Sequence, residues 1–166
     1  MMNSAINRTV SLGKPVTTPY LIPVEHKSTP RCINDPFMIN GECYKVTAMS
    51  LGSPHGVVFT DDIDSVDVKK TGSALGTHSL FPKKASMVFI QVLDNETVKA
   101  CLWHRDKGET AYTAEAVCVA GVAAIMLHRI LTDKANVYMG GNKFLVEWNR
   151  GTNNVYLTGP ADLLVV

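Results

Sequence analysis

Apolar and polar positions change their period twice along the chain. From Tyr44 to Trp103 apolar residues come in short runs, at Tyr44 to Ser50, His55 to Thr60, Ser86 to Leu93 and Thr97 to Trp103, each of strand length. The last run alternates Val98, Ala100 and Leu102 against Lys99, Cys101 and Trp103, the period of a pleated strand. Asn95-Glu96 makes a tight link between two of these runs. After Glu115 the alternation stops, and Ala116 to Leu127 is apolar without interruption. Short runs then return at Asn136 to Met139, Lys143 to Trp148 and Asn154 to Thr158, parted by Gly140-Gly141-Asn142 and Gly151-Thr152-Asn153, which have the composition of hairpin turns.

The uninterrupted run predicts a helix. Ala114, Ala116, Ala120, Gly121, Ala123 and Ala124 are small enough to let strands approach closely, and a helix that is apolar on every side has to be buried on every side. Before Asp35 the chain is rich in Pro, Ser and Thr; Val10 to Leu12 and Tyr20 to Val24 read as edge strands, and Pro15, Pro19, Pro23 and Pro30 argue against any helix. Many short strands around one long apolar helix predict an α+β domain in which a curved antiparallel or mixed sheet wraps one central buried helix. The expected organisation is an N-terminal tail over residues 1–8 and one domain over residues 9–166.

Composition narrows the function classes. With 166 residues, 46% hydrophobic and 19% charged, the chain suits one domain with a sizeable core. The net charge of +1 is mixed along the chain, with no basic stripe for a phosphate backbone, so no nucleic-acid partner is expected. The N-terminal stretch has no apolar signal region and the longest apolar run is too short to span a bilayer, so no membrane partner and a cytoplasmic location are expected. Cys32, Cys43, Cys101 and Cys118 show no metal-ligand spacing; they read as free thiols, and neither a metal nor a cofactor is expected.

Several stretches together resemble the C-terminal half of diaminopimelate epimerase. They are SLGSPHGVVF (50–59), LFPKKASMVFIQVLD (80–94), WHRDKGET (103–110) and FLVEWNRGTNNVYLTGPA (144–161), with TVSLGKP (9–15) similar to the entry of that domain. The order and spacing fit over residues 8–166. The resemblance implies a single diaminopimelate-epimerase-like domain, of an architecture shared with proline racemases and the phenazine-biosynthesis isomerase. Members of that family carry two such domains in tandem and bind substrate between them.

The family's chemistry, as the resemblance implies it, deprotonates a carbon acid on one face and reprotonates it on the other, using one cysteine from each domain. In this sequence Thr113 stands at the cysteine position after Gly108-Glu109-Thr110. A threonine hydroxyl is no thiolate-like base near neutral pH, so two-cysteine racemisation of amino acids is not expected. Thr113 does not exclude catalysis, because the related trans-3-hydroxyproline dehydratases carry Thr there and eliminate water with one base. Ser53 replaces a substrate-holding Asn, Ser86 aligns with a second, and His104 replaces a Glu, while Arg105 is kept as an anion anchor. Glu115 falls where the family has small residues whose bare N–H groups bind a carboxylate, and a carboxylate side chain there competes for those donors and repels an anionic ligand.

Glu115, His104 and Thr113 are therefore the candidate catalytic residues, and Arg105, Ser53, His55, Ser86, Tyr112 and Glu109 the candidate substrate-binding residues. Structural roles compete with these. Glu115 can cap the first helical turn, His104 can merely fill a loop position, His55 can shape a turn, and Tyr112 can pack against the helix entrance. His128 and Arg129 read as structural cations at the helix end. The expected function is a divergent, cofactor-independent isomerase, cyclase or lyase acting on a small neutral molecule by acid/base chemistry in a cleft between two protomers of a homodimer. The alternative is a catalytically inactive pseudoenzyme or a partner-binding half-domain.

Overall fold

The computed structural model describes residues 7–25 and 30–164. The tail expected over residues 1–8 lies for the most part outside them, but Asn7 and Arg8 already belong to the first strand, β1 (Asn7–Gly13). The order continues β2 (Asp35–Ile39), β3 (Glu42–Ser50), β4 (Pro54–Phe59), α1 (Val68–Gly76), β5 (Ser86–Val92), β6 (Thr97–His104), β7 (Gly108–Thr110), α2 (Ala114–Met126), β8 (Lys134–Met139), β9 (Asn142–Trp148) and β10 (Val155–Pro160). The strands form one sheet in the order β1-β10-β9-β8-β6-β5-β4-β3-β2, with β7 added on β6. Two ladders, β4 with β5 and β6 with β8, are parallel, and the rest are antiparallel, so the sheet is mixed as expected.

Helix α2 lies inside the curve of this sheet and meets β3, β4, β5, β6, β8, β9 and β10. Every residue from Ala116 to Ile125 is buried. Small side chains make that possible: a Cβ on Gly121 would stand 2.6 Å from the Cβ of Val146, inside any real carbon–carbon contact. The surrounding core takes one side of each strand, including Met49, Val57, Val88, Ile90, Val98 and Leu102.

The other side of the central strands is covered as well. Val46, Ala48, Met87, Phe89 and Trp103 point away from α2 into a second cluster closed by Leu75 of α1, Phe37 and Phe81. Strand β5 is consequently buried on both faces, from Ser86 to Ile90, which explains why its sequence is a continuous apolar run.

Four elements differ from the expectation. Helix α1 was not expected; the Asp67 carboxylate caps it by accepting from the Lys70 N–H at 3.0 Å, and its buried face is Val68, Gly72, Leu75 and Gly76. The edge strand expected at Tyr20 to Val24 is instead a turn of 3-10 helix at Pro19–Leu21 followed by a cis Ile22-Pro23 bond. A proline at the first position of that turn needs no N–H partner, so the local sequence favours a helical start over a sheet edge. Strands β2 and β7 complete the sheet where no element was expected.

Candidate functional site

Strands β3 and β4 form a hairpin closed by Ser50 opposite Pro54, and its loop, Leu51-Gly52-Ser53, arrives at the start of α2. There the Ser53 hydroxyl donates to Glu115 Oε1 at 2.6 Å. The Glu115 carboxylate lies over the bare Cα of Gly52, where an added Cβ would be 3.3 Å from the carboxylate carbon. Gly52 has φ of +117°, a conformation that side-chain-bearing residues rarely adopt, so the glycine serves both the turn and the carboxylate above it.

Thr113 is the N-cap of α2. Its extended backbone (φ −134°, ψ 157°) turns the side chain back so that Oγ1 accepts from the Ala116 N–H at 3.0 Å. A hydroxyl in that position satisfies a helix end. Glu115, in the first turn, places its negative charge where the helix dipole favours it.

His55 is buried, 1% exposed, and its Nδ1 lies 2.9 Å from the Ser53 carbonyl oxygen. A carbonyl only accepts, so Nδ1 carries the proton and Nε2 is the bare nitrogen. Burial pushes the His55 pKa below its usual value; the bond to Ser53 and the charge of Glu115 act the other way, and His104 and Arg105 add to the lowering. The ring is thus a neutral brace under the Ser53 loop. Ser86 sits opposite His55 in the parallel β4–β5 ladder and its hydroxyl accepts from the Arg105 N–H at 3.1 Å.

Ser53, His55 and Glu115 are thereby joined by hydrogen bonds, with Ser86 beside His55 in the β4–β5 ladder and bonded to Arg105. His104 and Arg105 border this group at the end of β6. The His104 Nδ1 accepts from the Asp106 N–H at 3.1 Å, while the Arg105 guanidinium donates to the Lys83 carbonyl at 3.3 Å and lies 3.8 Å from the Asp106 carboxylate. Tyr112 donates to the Leu163 carbonyl at 3.2 Å and its ring packs 5.3 Å from that of Phe144, the packing role at the helix entrance. Glu109 is exposed on β7 and borders clefts lined by Ala100 and Cys101 on one side and Lys69 and Trp103 on another. Neither Tyr112 nor Glu109 makes one of the contacts of the Ser53–Glu115 chain. Nothing in the sequence around Gly52 signals that this glycine floors a carboxylate.

The thiols stand outside the site chemistry. Burial pushes Cys118, in the middle of α2, far above the usual thiol range and Cys32 up to about 12; Cys101 is raised as well, again by burial. Among the described residues, no three His, Cys, Asp or Glu side chains gather as a metal ligand set. Among the described residues, no helix is long and apolar enough to cross a membrane.

The diaminopimelate epimerase family profile matches residues 47–164, from the middle of β3 to just beyond β10, with the Ser53 loop and the α2 turn inside it. The chain belongs to the diaminopimelate epimerase family. The diaminopimelate epimerase of Acetivibrio thermocellus is 37% identical over 153 residues, covering 92% of this chain and 54% of the relative. That of Desulforapulum autotrophicum is 32% identical over 156 residues, with 92% and 53% covered. The chain thus spans about half the length of the curated relatives it matches. Solved structures share the fold at low identity. A probable proline racemase from Agrobacterium radiobacter superposes with a TM-score of 0.62 at 11% identity, over 93% of this chain and 50% of the other. A phenazine biosynthesis protein of Bacillus anthracis gives 0.58 at 11% identity, over 96% and 59%. These confirm the α+β architecture of a sheet around a central helix.

Proposed function

We propose that this domain supplies half of an acid/base site for an uncharged or weakly charged small molecule, with Glu115 moving the proton in place of a thiol. The observation that carries this is the 2.6 Å bond from Ser53 to Glu115, which fixes a carboxylate at the mouth of the central helix. One oxygen is engaged by the hydroxyl, and a carboxylate retains further lone pairs for a substrate proton. Thr113 is occupied as the N-cap, so each domain offers one base, a carboxylate, and the site has no thiol pair for two-thiol inversion. A fixed carboxylate beside the helix N-terminus repels a second one, so diaminopimelate, the substrate in the names of the curated relatives, is a poor ligand for this site.

The face that carries the start of α2 meets a second domain of the same fold, here a second copy of the chain. The length of the relatives supports this, since the part of each that this chain does not cover leaves room for about one more such domain. A second reading, a non-catalytic binding half-domain, is favoured by the same pairing: Ser53 with Glu115, and Thr113 with Ala116, leave fewer free polar groups.

Light scattering on the purified chain, followed by proton–deuterium exchange in D2O on a panel of ketones, lactones and amides, separates the readings. Exchange that disappears in Glu115→Gln and withstands iodoacetamide is expected. Interconversion of diaminopimelate stereoisomers by the wild-type chain would overturn the proposal, and a dimer that exchanges nothing would leave the binding reading in its place.

A further inference from the structure

The hydroxyl that holds Glu115 in place is itself a reactive group. Ser53 stands in the loop of the β3–β4 hairpin, and the backbone there is pinned from two sides. The Gly52 N–H donates to the Ser50 hydroxyl at 3.3 Å, and the Ser53 carbonyl accepts from His55 Nδ1 at 2.9 Å. From this fixed loop the Ser53 hydroxyl donates to Glu115 Oε1 at 2.6 Å, the separation of a nucleophile from a base that can take its proton. Both residues are half-buried and Gly52 beside them is exposed, so the pair can be reached from solvent.

The start of α2 completes the arrangement. The Thr113 hydroxyl serves the Ala116 N–H, whereas the N–H groups of Ala114 and Glu115 lie in the first turn, where no earlier carbonyl of the helix reaches them. When Ser53 attacks a carbonyl, its proton neutralises Glu115 and the negative charge moves to the carbonyl oxygen. The helix N-terminus therefore faces one negative charge before and after the attack, first on the carboxylate and then on the oxyanion.

We propose that Ser53 and Glu115 form a nucleophile–base pair that takes acyl groups from aryl esters or thioesters. Ser53 Oγ bonds to the carbonyl carbon as its proton passes to Glu115; the bond to the phenol or thiol then breaks, and that leaving group carries the proton away. Water repeats the attack on the acyl-serine, giving a proton to Glu115 that returns to Ser53 Oγ as the carboxylic acid departs. A carboxylate is a weaker base than an imidazole, so the pair suits esters with good leaving groups over amides, and its charge disfavours an anionic acyl group. The inference rests on the reading of Glu115 as the base, with the proton taken from Ser53 in place of a substrate carbon.

The test treats the folded chain with an alkyl fluorophosphonate, which a serine attacks at phosphorus with loss of fluoride, and maps the adduct by peptide mass spectrometry. An adduct at Ser53 is expected, absent from chain unfolded in urea, and it should abolish hydrolysis of p-nitrophenyl acetate. Glu115→Gln, which can still accept from Ser53, should slow the labelling at least about a hundredfold. Adducts on lysines and tyrosines with none at Ser53, hydrolysis that survives the adduct, or equal labelling of a folded Glu115→Gln overturns the proposal. A wild-type chain that exchanges carbon-acid protons through Glu115 but takes no adduct at Ser53 loses this inference alone. An adduct at Ser53 without such exchange removes only the carbon-acid substrate.

Discussion

The two helices of this domain lie on opposite faces of the same strands and solve the packing problem differently. Helix α2 is enclosed on every side, so its whole circumference is small and apolar. Helix α1 has one buried face, and there two glycines replace side chains because a large one comes from the sheet: Trp103 lies where a Cβ on Gly72 or Gly76 would stand. Close approach is achieved in α2 by thinning the helix all round, and in α1 by notching it for one indole ring. The first solution makes the helix recognisable from composition, and the second disguises it.

The sharpest way to break that contrast is Gly121→Val. Its branched carbon would stand 2.6 Å from the Cβ of Val146, and a loss of about 3 kcal/mol is expected in denaturant unfolding. Lys69→Ala on the exposed side of α1 should stay within about 0.5 kcal/mol, so equal effects would refute the difference between an enclosed and a one-sided helix.

The notch itself is tested next. Gly72→Ala puts a methyl 2.5 Å from the Trp103 Cβ and should cost about 1–2 kcal/mol. In a Trp103→Ala background the same substitution should turn neutral or favourable, because the roughly 1 kcal/mol helix preference of Ala over Gly is then unopposed. A cost that persists without the indole would locate the strain elsewhere.

The caps should be equivalent even though the helices are not. Thr113→Ala and Asp67→Ala each remove a side-chain acceptor from a helix N-terminus and should each cost about 1 kcal/mol, with Thr113→Ser nearly silent. A much larger loss at Thr113 would mean that its hydroxyl supports the Ser53–Glu115 chain as well as the helix.

The smallest effect concerns His55 on the α2 side. Its pKa is lower in the folded chain than the usual 6.5, so the unfolded chain binds the proton first as pH falls. The stability it confers is complete above about 6.5 and declines below that value until the folded ring also protonates. His55→Asn, which can keep the donor to the Ser53 carbonyl, should therefore show a shallower loss of melting temperature between pH 7 and 5 than wild type. The difference is limited to about 1.4 kcal/mol per pH unit, the slope of one proton. Identical slopes would show that the ring is not the buried neutral group described.

What could be read beforehand follows the same division. The strands from Tyr44 to Trp103 and from Asn136 to Thr158 were legible because each carries its own run of apolar residues, and α2 because nothing polar interrupts it. Helix α1 does have helical spacing at Val68, Gly72, Leu75 and Gly76, but glycine registers as a breaker, not as a buried position, until the Trp103 ring is in place. Strand β2 begins Asp35-Pro36 and exists because β3 offers it a free edge. At the site, Thr113, Glu115 and Ser53 could be singled out by position. Their mutual arrangement could not, since the bond from Ser53 to Glu115 joins residues 62 apart through a hairpin tip whose orientation only the folded sheet sets.

One ladder bears on how the molecule would respond to force. Strand β1 runs antiparallel to β10, with Asn7 opposite Pro160 and Gly13 near Val155, so the outer ends of the two strands lie side by side. A pull applied at those ends loads the ladder's hydrogen bonds one after another, like a zipper, instead of shearing them together. The β1 edge of the sheet is thus the part most easily peeled from a domain whose centre is locked around α2.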